Sequence, residues 1–317
     1  MFRDSDGLKL FGRELDPAES VSTDPDWMQA RVPWIEQGLE RALNLPSGGW
    51  YVLCPTADLE ARPKRFRVDG RDYVAWRSNG TVTVAPDHCP HMGAPLAEGT
   101  VRGGQVVCPW HGLALGREKH GSWAPVAVHD DGLLLWIRPG EARDGLDAPV
   151  LPPRPEKSLA AVLRQEARCD PRDVIANRLD PWHGAHFHPH SFARLIVVGQ
   201  EDDAITVRVV FRIFRSIGME VDARFHCPEP RTIVMTIVDG EGVGSVVETH
   251  ATPLDPGRTM VTEATIATSE RPQFQTVARL FGPLIRPLML RRAHRLWVED
   301  SAYAERRYAL RNAGHEV

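Results

Sequence analysis

The sequence predicts an α+β protein in two parts, an all-β domain followed by a domain of antiparallel sheet and helices. Short strand-like runs separated by turn residues fill the stretch from Gly49 to Pro139, and long alternating segments fill much of the second half. A helical bias from Pro272 to Leu310 closes the chain. The length, 317 residues, suits two domains at about 100–200 residues each. With 42% hydrophobic and 25% charged residues the chain can bury a substantial core, which excludes wholesale disorder. A net charge of −4 argues against a general nucleic-acid binder.

In order, WYVLC (Trp50–Cys54), KRFRV, YVAW and TVTVA are rich in β-branched and aromatic residues, with VDGRD and SNG as turns. VVCPW and LLLWI (Leu133–Ile137) continue the pattern, and the 26 Gly and 26 Pro fit a turn-rich fold. RPGEARDGLDAPVLPPRPEK is proline-rich without periodicity and reads as a linker. Asp170–His186 is expected to be helical, with Asp170 as N-cap and Pro171 in the first turn. AITVRVVFRIF, MEVDARFHC, RTIVMTIVDG, SVVETHATPL and TMVTEATIATS then alternate as strands of a sheet with one buried face. The closing helix is expected to break at Gly282-Pro283 and Pro287. The expected boundaries are an arm or subunit contact at 1–45, the β domain at 46–140, a linker at 141–160 and the second domain at 161–317. No run of about 18 apolar residues predicts a membrane span, and the charged stretch Met1–Lys9 does not read as a signal peptide, so a cytoplasmic location is expected.

The five cysteines are too few and too odd in number for a disulfide framework. Cys54, Cys169 and Cys227 read as ordinary buried thiols. Cys89 and Cys108 differ, because Cys89 with His91 forms C-x-H and Cys108 with His111 forms C-x-x-H, separated by residues 92–107. Each pair sits in a Pro/Gly turn that can aim both side chains at one point and free backbone N–H groups for sulfur. Two thiolates can hold one iron and two imidazoles the other. A zinc site of two Cys and two His is the alternative, although zinc more often pairs C-x-x-C with H-x-x-x-H.

The second concentration of chemistry is Asn177-Arg-Leu-Asp180-Pro-Trp-His183-Gly-Ala-His186-Phe-His188-Pro-His190. Two of these imidazoles plus one carboxylate would make the facial set that binds iron(II) and leaves open positions for O₂. On an ideal helix His183 and His188 diverge by about 140°. Pro189 disfavours helical geometry at His188 and so allows that imidazole to swing inward. His186 is the rival, sharing a helix face with His183.

Both constellations resemble the Rieske non-haem iron oxygenases. CPHMGAPL followed by CPWHG is similar to that family's two cluster-binding loops, and Asp180, His183 and His188 match its D-x-x-H-x-x-x-x-H motif. The resemblance implies a Rieske 2Fe-2S cluster on Cys89, His91, Cys108 and His111, and a mononuclear Fe(II) on His183, His188 and a carboxylate from the closing helix. In LWVEDSAYAERR it favours Asp300 over Glu299, and His186 and His190 become second-layer or surface residues. Asn177 matches a position the family often fills with Asn. Asp180 can accept the other N–H of His183. The resemblance further implies that Asp180 bridges to His111 of the partner subunit, and hence head-to-tail homotrimers with an electron route between chains. It also implies a helix-grip second domain, a small apolar substrate, and a ferredoxin or NAD(P)H-dependent reductase. The reductase is expected to be a separate protein, since no G-x-G-x-x-G follows a strand. The readings set against a terminal oxygenase are a Rieske electron carrier and a zinc-stabilised binder of apolar ligands. VARLFGPLIRPLMLRRAHRLW in the closing helix reads either as a membrane-facing lid or as a core helix with its arginines in solvent.

Overall fold

The computed structural model describes residues 9–10, 13–14, 32–214 and 217–315. Two short strands, β1 (Lys9–Leu10) and β2 (Arg13–Glu14), precede helix α1 (Val32–Leu43). The arm expected at 1–45 lies partly outside the described residues. What is described of it belongs to the second domain: β1 pairs in parallel with the start of a strand of that domain's sheet at Ile217–Gly218. On α1, Leu39 and Ala42 are buried against Ile175, Ala176, Leu179 and Ile233.

The β domain contains β3 (Tyr51–Pro55), β4 (Lys64–Val68), β5 (Arg71–Ser78), β6 (Thr81–Pro86), β7 (Thr100–Arg102), β8 (Gln105–Val107), β9 (Ala114–Leu115), β10 (Ala127–Asp130) and β11 (Leu134–Arg138). They form three small antiparallel sheets, β10-β11-β3, β4-β5-β6 and β7-β8-β9. The turn glycines predicted in VDGRD and SNG do adopt left-handed geometry, Gly70 at φ 73° and Gly80 at φ 76°. One core cluster joins Leu53, Phe66, Tyr73, Val84 and Leu135. A second, with Trp76, Leu96, Val106, Leu115 and Trp123, lies directly behind Cys89 and Cys108.

The second domain adds β12 (Leu159–Ala167), helix α2 (Pro171–Leu179), helix α3 (His183–Phe187), β13 (Phe192–Gln200), β14 (Ala204–Phe214), β15 (Ile217–Glu229), β16 (Thr232–Gly240), β17 (Val246–Asp255), β18 (Arg258–Ala267) and helix α4 (Phe274–Asn312). The strands join one sheet in which β12, β18, β17, β16 and β15 are successive neighbours; β15 also pairs β14, which pairs β13. The five alternating segments are all strands, because each can bury one face of side chains.

Four local expectations are corrected. The strand β12 crosses the boundary drawn between linker and domain at 160/161. Its LAAVLRQEA has no strand-like composition, and all nine residues pair with β18, so sheet context overrides propensity. The strand β13 likewise went unread. The helix expected over Asp170–His186 is two helices, since Pro181 disfavours helical geometry at Asp180, which takes φ −103°, ψ 86°. Conversely, α4 runs unbroken through Pro283 and Pro287. Both prolines are exposed, so the carbonyls they leave without an N–H partner can bond to water. Asp170 does sit at the N-cap, but its side chain makes no capping bond. Its carboxylate accepts instead from Arg311 Nη2 (2.8 Å) and from the Gly257 N–H (3.2 Å).

The two domains are tied by a buried ion cluster. Arg154, in the predicted linker, meets Asp131 of the β domain at 2.9 Å and Glu248 of β17 at 2.5 Å. Burial opposes ionisation of Glu248, but Arg154 and His250 hold its carboxyl below the ordinary range.

Candidate functional site

The two Cys/His loops share one backbone frame. The Cys89 N–H donates to Ala94 O (2.8 Å) and the Gly93 N–H to Cys89 O (2.8 Å); the Cys108 N–H donates to Leu113 O (2.8 Å) and the Gly112 N–H to Cys108 O (3.0 Å). Closing each turn this way requires the left-handed conformation at its glycine, φ 78° at Gly93 and 74° at Gly112. The first loop is anchored from below by Asp87, which accepts from the Ala97 N–H (2.7 Å) and from Arg65 Nε (2.5 Å). Cys89 and Cys108 are buried, whereas His91 and His111 are exposed, with their ring centroids 4.9 Å apart. Burial works against a thiolate at Cys108, but the N–H groups of His111 and Trp110 outweigh it and hold the thiol below its ordinary range. N–H groups of His91 and Met92 act on Cys89 in the same sense, though burial wins there. This donor set fits a two-iron cluster: both sulfurs have N–H groups aimed at them, and both imidazoles reach the surface.

The second site is assembled from α2, α3 and α4. Ligand atoms of His183, His188 and Asp300 lie within 4.8 Å of one another. Nε2 of His183 and Nε2 of His188 converge on Oδ1 of Asp300, at 3.1 and 2.8 Å. Helix α3 ends at Phe187, and His188 takes φ −119°, ψ 52°. The departure from helix ahead of Pro189 thus brings the two imidazoles together. The opposite ring nitrogens are occupied: His183 Nδ1 donates to the backbone carbonyl of Asp180 (2.5 Å), and His188 Nδ1 to Glu299 Oε2 (2.5 Å). Protons held on both Nδ1 atoms leave both Nε2 lone pairs available to a cation. Burial disfavours charge on His183, yet Asp180 and Asp300 push it up to about 9, so the site favours positive charge. Burial likewise opposes the Asp300 carboxylate, but the two imidazoles hold it far below its usual range. The donor set therefore fits one divalent cation of the iron type.

Two contacts differ from expectation. The Asp180 group that receives the His183 proton is the main-chain carbonyl; its carboxylate stands 3.7 Å away. That carboxylate accepts from the Trp182 N–H (3.2 Å) and from the Tyr303 hydroxyl (3.2 Å). Glu299, weighed earlier only as a rival ligand, instead orients His188. Asn177 is fully buried and donates from Nδ2 to Asp300 Oδ1 (3.3 Å), while its Oδ1 has no partner. His186 is exposed, and His190 Nδ1 lies 3.8 Å from Glu299. The sequence reading missed Tyr303, although Asp300 and Tyr303 stand at i,i+3 on one helix face. It also missed Asp173, fully buried and paired with Arg307 (2.5 Å) and Arg311 (2.9 Å), which fastens α2 to α4.

His183, His188 and Asp300 stand at the edge of a cavity of about 840 Å³, at the upper end of small-molecule sites. Val207, Val209, Phe211, Met235, Ile237 and Val247 give it apolar walls. Glu263 also lines it, accepting from Trp297 Nε1 (2.7 Å), and burial pushes its carboxyl up.

Comparison with known proteins adds independent findings. The family described as Domain of unknown function (DUF5914) matches residues 140–315, and the Rieske [2Fe-2S] domain matches residues 49–129. A vanillate O-demethylase oxygenase subunit of a Pseudomonas strain is 29% identical over 167 residues, 47% of each chain. The oxygenase component of 3-ketosteroid-9-alpha-monooxygenase from Mycobacterium tuberculosis is 36% identical over 164 residues, 44% of this chain and 42% of the relative. The chain thus spans about half or less of the curated relatives it matches. Among solved structures, dicamba monooxygenase bound to dicamba superposes with TM-score 0.64 at 17% identity, covering 84% of this chain and 89% of that one. The terminal oxygenase of carbazole 1,9a-dioxygenase from Novosphingobium sp. KA1 superposes at 0.59 and 16% identity, covering 89% and 88%. The fold is that of Rieske oxygenase α subunits, and the α+β class read from the sequence holds.

Proposed function

The chain belongs to the family described as Domain of unknown function (DUF5914), here joined to a Rieske [2Fe-2S] domain, and from that premise we propose that it is the terminal oxygenase component of a Rieske non-haem iron oxygenase, an oxidoreductase acting on an apolar organic substrate. One observation carries the proposal: His183, His188 and Asp300 converge at the edge of a large apolar cavity in a chain that also bears the Cys89/His91 and Cys108/His111 loops. The cavity speaks against a plain electron carrier, which needs only the first domain.

In this reading Cys89 and Cys108 would hold one cluster iron, His91 and His111 the other, and His183, His188 and Asp300 the mononuclear iron. When bound, the cluster would supply single electrons and the mononuclear iron O₂ activation beside the substrate. The protein's own part is positioning and exclusion of water. The Asp180 carbonyl and Glu299 fix the tautomers of the two imidazoles. Asn177 holds the Asp300 oxygen that both imidazoles face. Its unpartnered Oδ1 can accept a proton-bearing group entering the cavity. The apolar walls bind the substrate by burial and keep bulk water from the reacting atoms.

The proposal includes a homotrimer in which the Asp180 carboxylate bridges to His111 of the partner subunit. Among the described residues each Asp180 oxygen accepts from one donor, leaving lone pairs for another N–H. It also includes a ferredoxin or NAD(P)H-dependent reductase as electron donor and a cytoplasmic location. The three cysteines outside the cluster loops, Cys54, Cys169 and Cys227, form no disulfide, which suits a reducing compartment. Demethylation, hydroxylation and oxidative cyclisation all suit this site. Reduction with dithionite should produce a rhombic EPR signal with average g below 2, and metal analysis should find two cluster irons and one mononuclear iron per chain. A silent protein containing zinc would overturn the proposal.

A further inference from the structure

The first half of α4 has two apolar faces, and only one of them is used by the fold. The inner face carries Phe274, Ala278, Gly282, Ile285, Met289 and Ala293 at helical spacing. It lies hard against β12: a Cβ added at Gly282 would meet Leu159 Cδ1 at 3.1 Å. Several of the same residues, Phe274, Ile285 and Met289 among them, line the cavity.

The outer face is also apolar but lies in solvent. Val277 is 42% exposed, Leu280 65%, Phe281 50%, Leu284 68% and Leu288 63%. A single exposed leucine is ordinary, but these positions follow i, i+3, i+4, i+7 and i+11 and make one continuous stripe. Of the two sequence readings of this segment, the core helix is therefore only half the account. In a chain of net charge −4, residues 274–298 contain Arg279, Arg286, Arg291, Arg292 and Arg295 and no Asp or Glu. At about 100° per residue, Arg291 and Arg295 continue the line of Leu284 and Leu288. Arg279, Arg291 and Arg295 are exposed, and among the described residues none of the three pairs with a carboxylate. No helix among the described residues is long and apolar enough to cross a membrane. An apolar stripe continued and flanked by cations is the pattern of a helix lying in a bilayer interface, with its charges at the phosphate level.

We propose that the outer face of α4, from Val277 to Arg295, docks on an anionic lipid surface. Val277 and Arg292 both border the cavity and are exposed, so the docked face adjoins the cavity's opening. Resting on the oxygenase reading above, docking also names the substrate class: an apolar molecule dissolved in the bilayer that enters along α4 without crossing bulk water.

Flotation of the iron-loaded full chain with unilamellar vesicles tests this. The protein should float with vesicles of phosphatidylcholine and phosphatidylglycerol, remain behind with phosphatidylcholine alone, and be released in about 1 M NaCl, where the Debye length is about 3 Å. A variant combining Leu280→Glu, Leu284→Glu and Leu288→Glu should lose flotation at least tenfold while keeping its iron content and Tm. Failure to float with the anionic vesicles, or equal flotation of the variant, would overturn the proposal. So would a variant that floats normally but sediments as a smaller oligomer, since the stripe would then be an interface between copies of this chain. The readout needs no turnover: a protein that floats but lacks mononuclear iron would sink the oxygenase reading and leave the docking surface standing.

Discussion

Within the Rieske domain, Cys89 lies two residues from His91 and Cys108 three from His111, and each loop closes on itself through a glycine N–H. In the second domain, His183 and Asp300 come from helices 117 residues apart, and each imidazole is oriented by a group outside its own helix or at its edge. The contrast teaches that a short loop carries its own geometry, whereas a split site inherits geometry from packing. The Asp173 pairs with Arg307 and Arg311, which fasten α2 to α4, are therefore as much a part of the second site as His183, His188 and Asp300.

The largest expected effect separates the two regions directly. His183→Ala should lose one iron per chain and all turnover while the cluster's EPR signal survives; joint loss of both iron pools would show that the sites are not independent. Asp180→Asn should leave both centres loaded and the cluster reducible, yet nearly abolish turnover, because the side chain is proposed to link centres in different subunits. Turnover near the parent level would remove that role.

Arg154→Ala tests the junction between the two domains. It leaves Glu248 buried without its cation and should cost about 3–5 kcal/mol in denaturant unfolding. The sign with pH follows from the depressed Glu248 carboxyl: its contribution is present above 4.5 and is lost as pH falls below that value. The parent's stability should therefore drop on acidification more steeply than the variant's. Glu299→Ala should weaken mononuclear iron binding by about 10–100-fold in competition with a chelator. An unchanged affinity would mean that packing alone orients His188. The smallest effect is expected in the cluster loops. At Gly112 an added Cβ meets nothing within 4 Å, so Gly112→Ala carries only the left-handed backbone cost, about 1–2 kcal/mol, and should lower Tm with the cluster retained.

Legibility in the sequence followed the same divide. The strand AITVRVVFRIF was readable to its ends at Ala204 and Phe214, because alternation is a local consequence of one buried face. β12 was not, since its alanines and glutamate take strand geometry only beside β18. Pro181 carried a readable helix stop that went unused, while Pro283 and Pro287 carried stops that a solvent-facing position made unnecessary.

By itself the sequence determined the loop chemistry of Cys89, His91, Cys108 and His111, the two-part α+β plan and the group of residues from which the second site is drawn. These depend on interactions among neighbours in the chain. Only the tertiary structure decided that Glu299 supports His188 while Asp300 faces both imidazoles, that the Asp180 carbonyl holds His183, and that Leu280, Leu284 and Leu288 face outward. A residue's face on a helix is periodic and local, but what lies opposite that face is set by the packing of segments far apart in sequence.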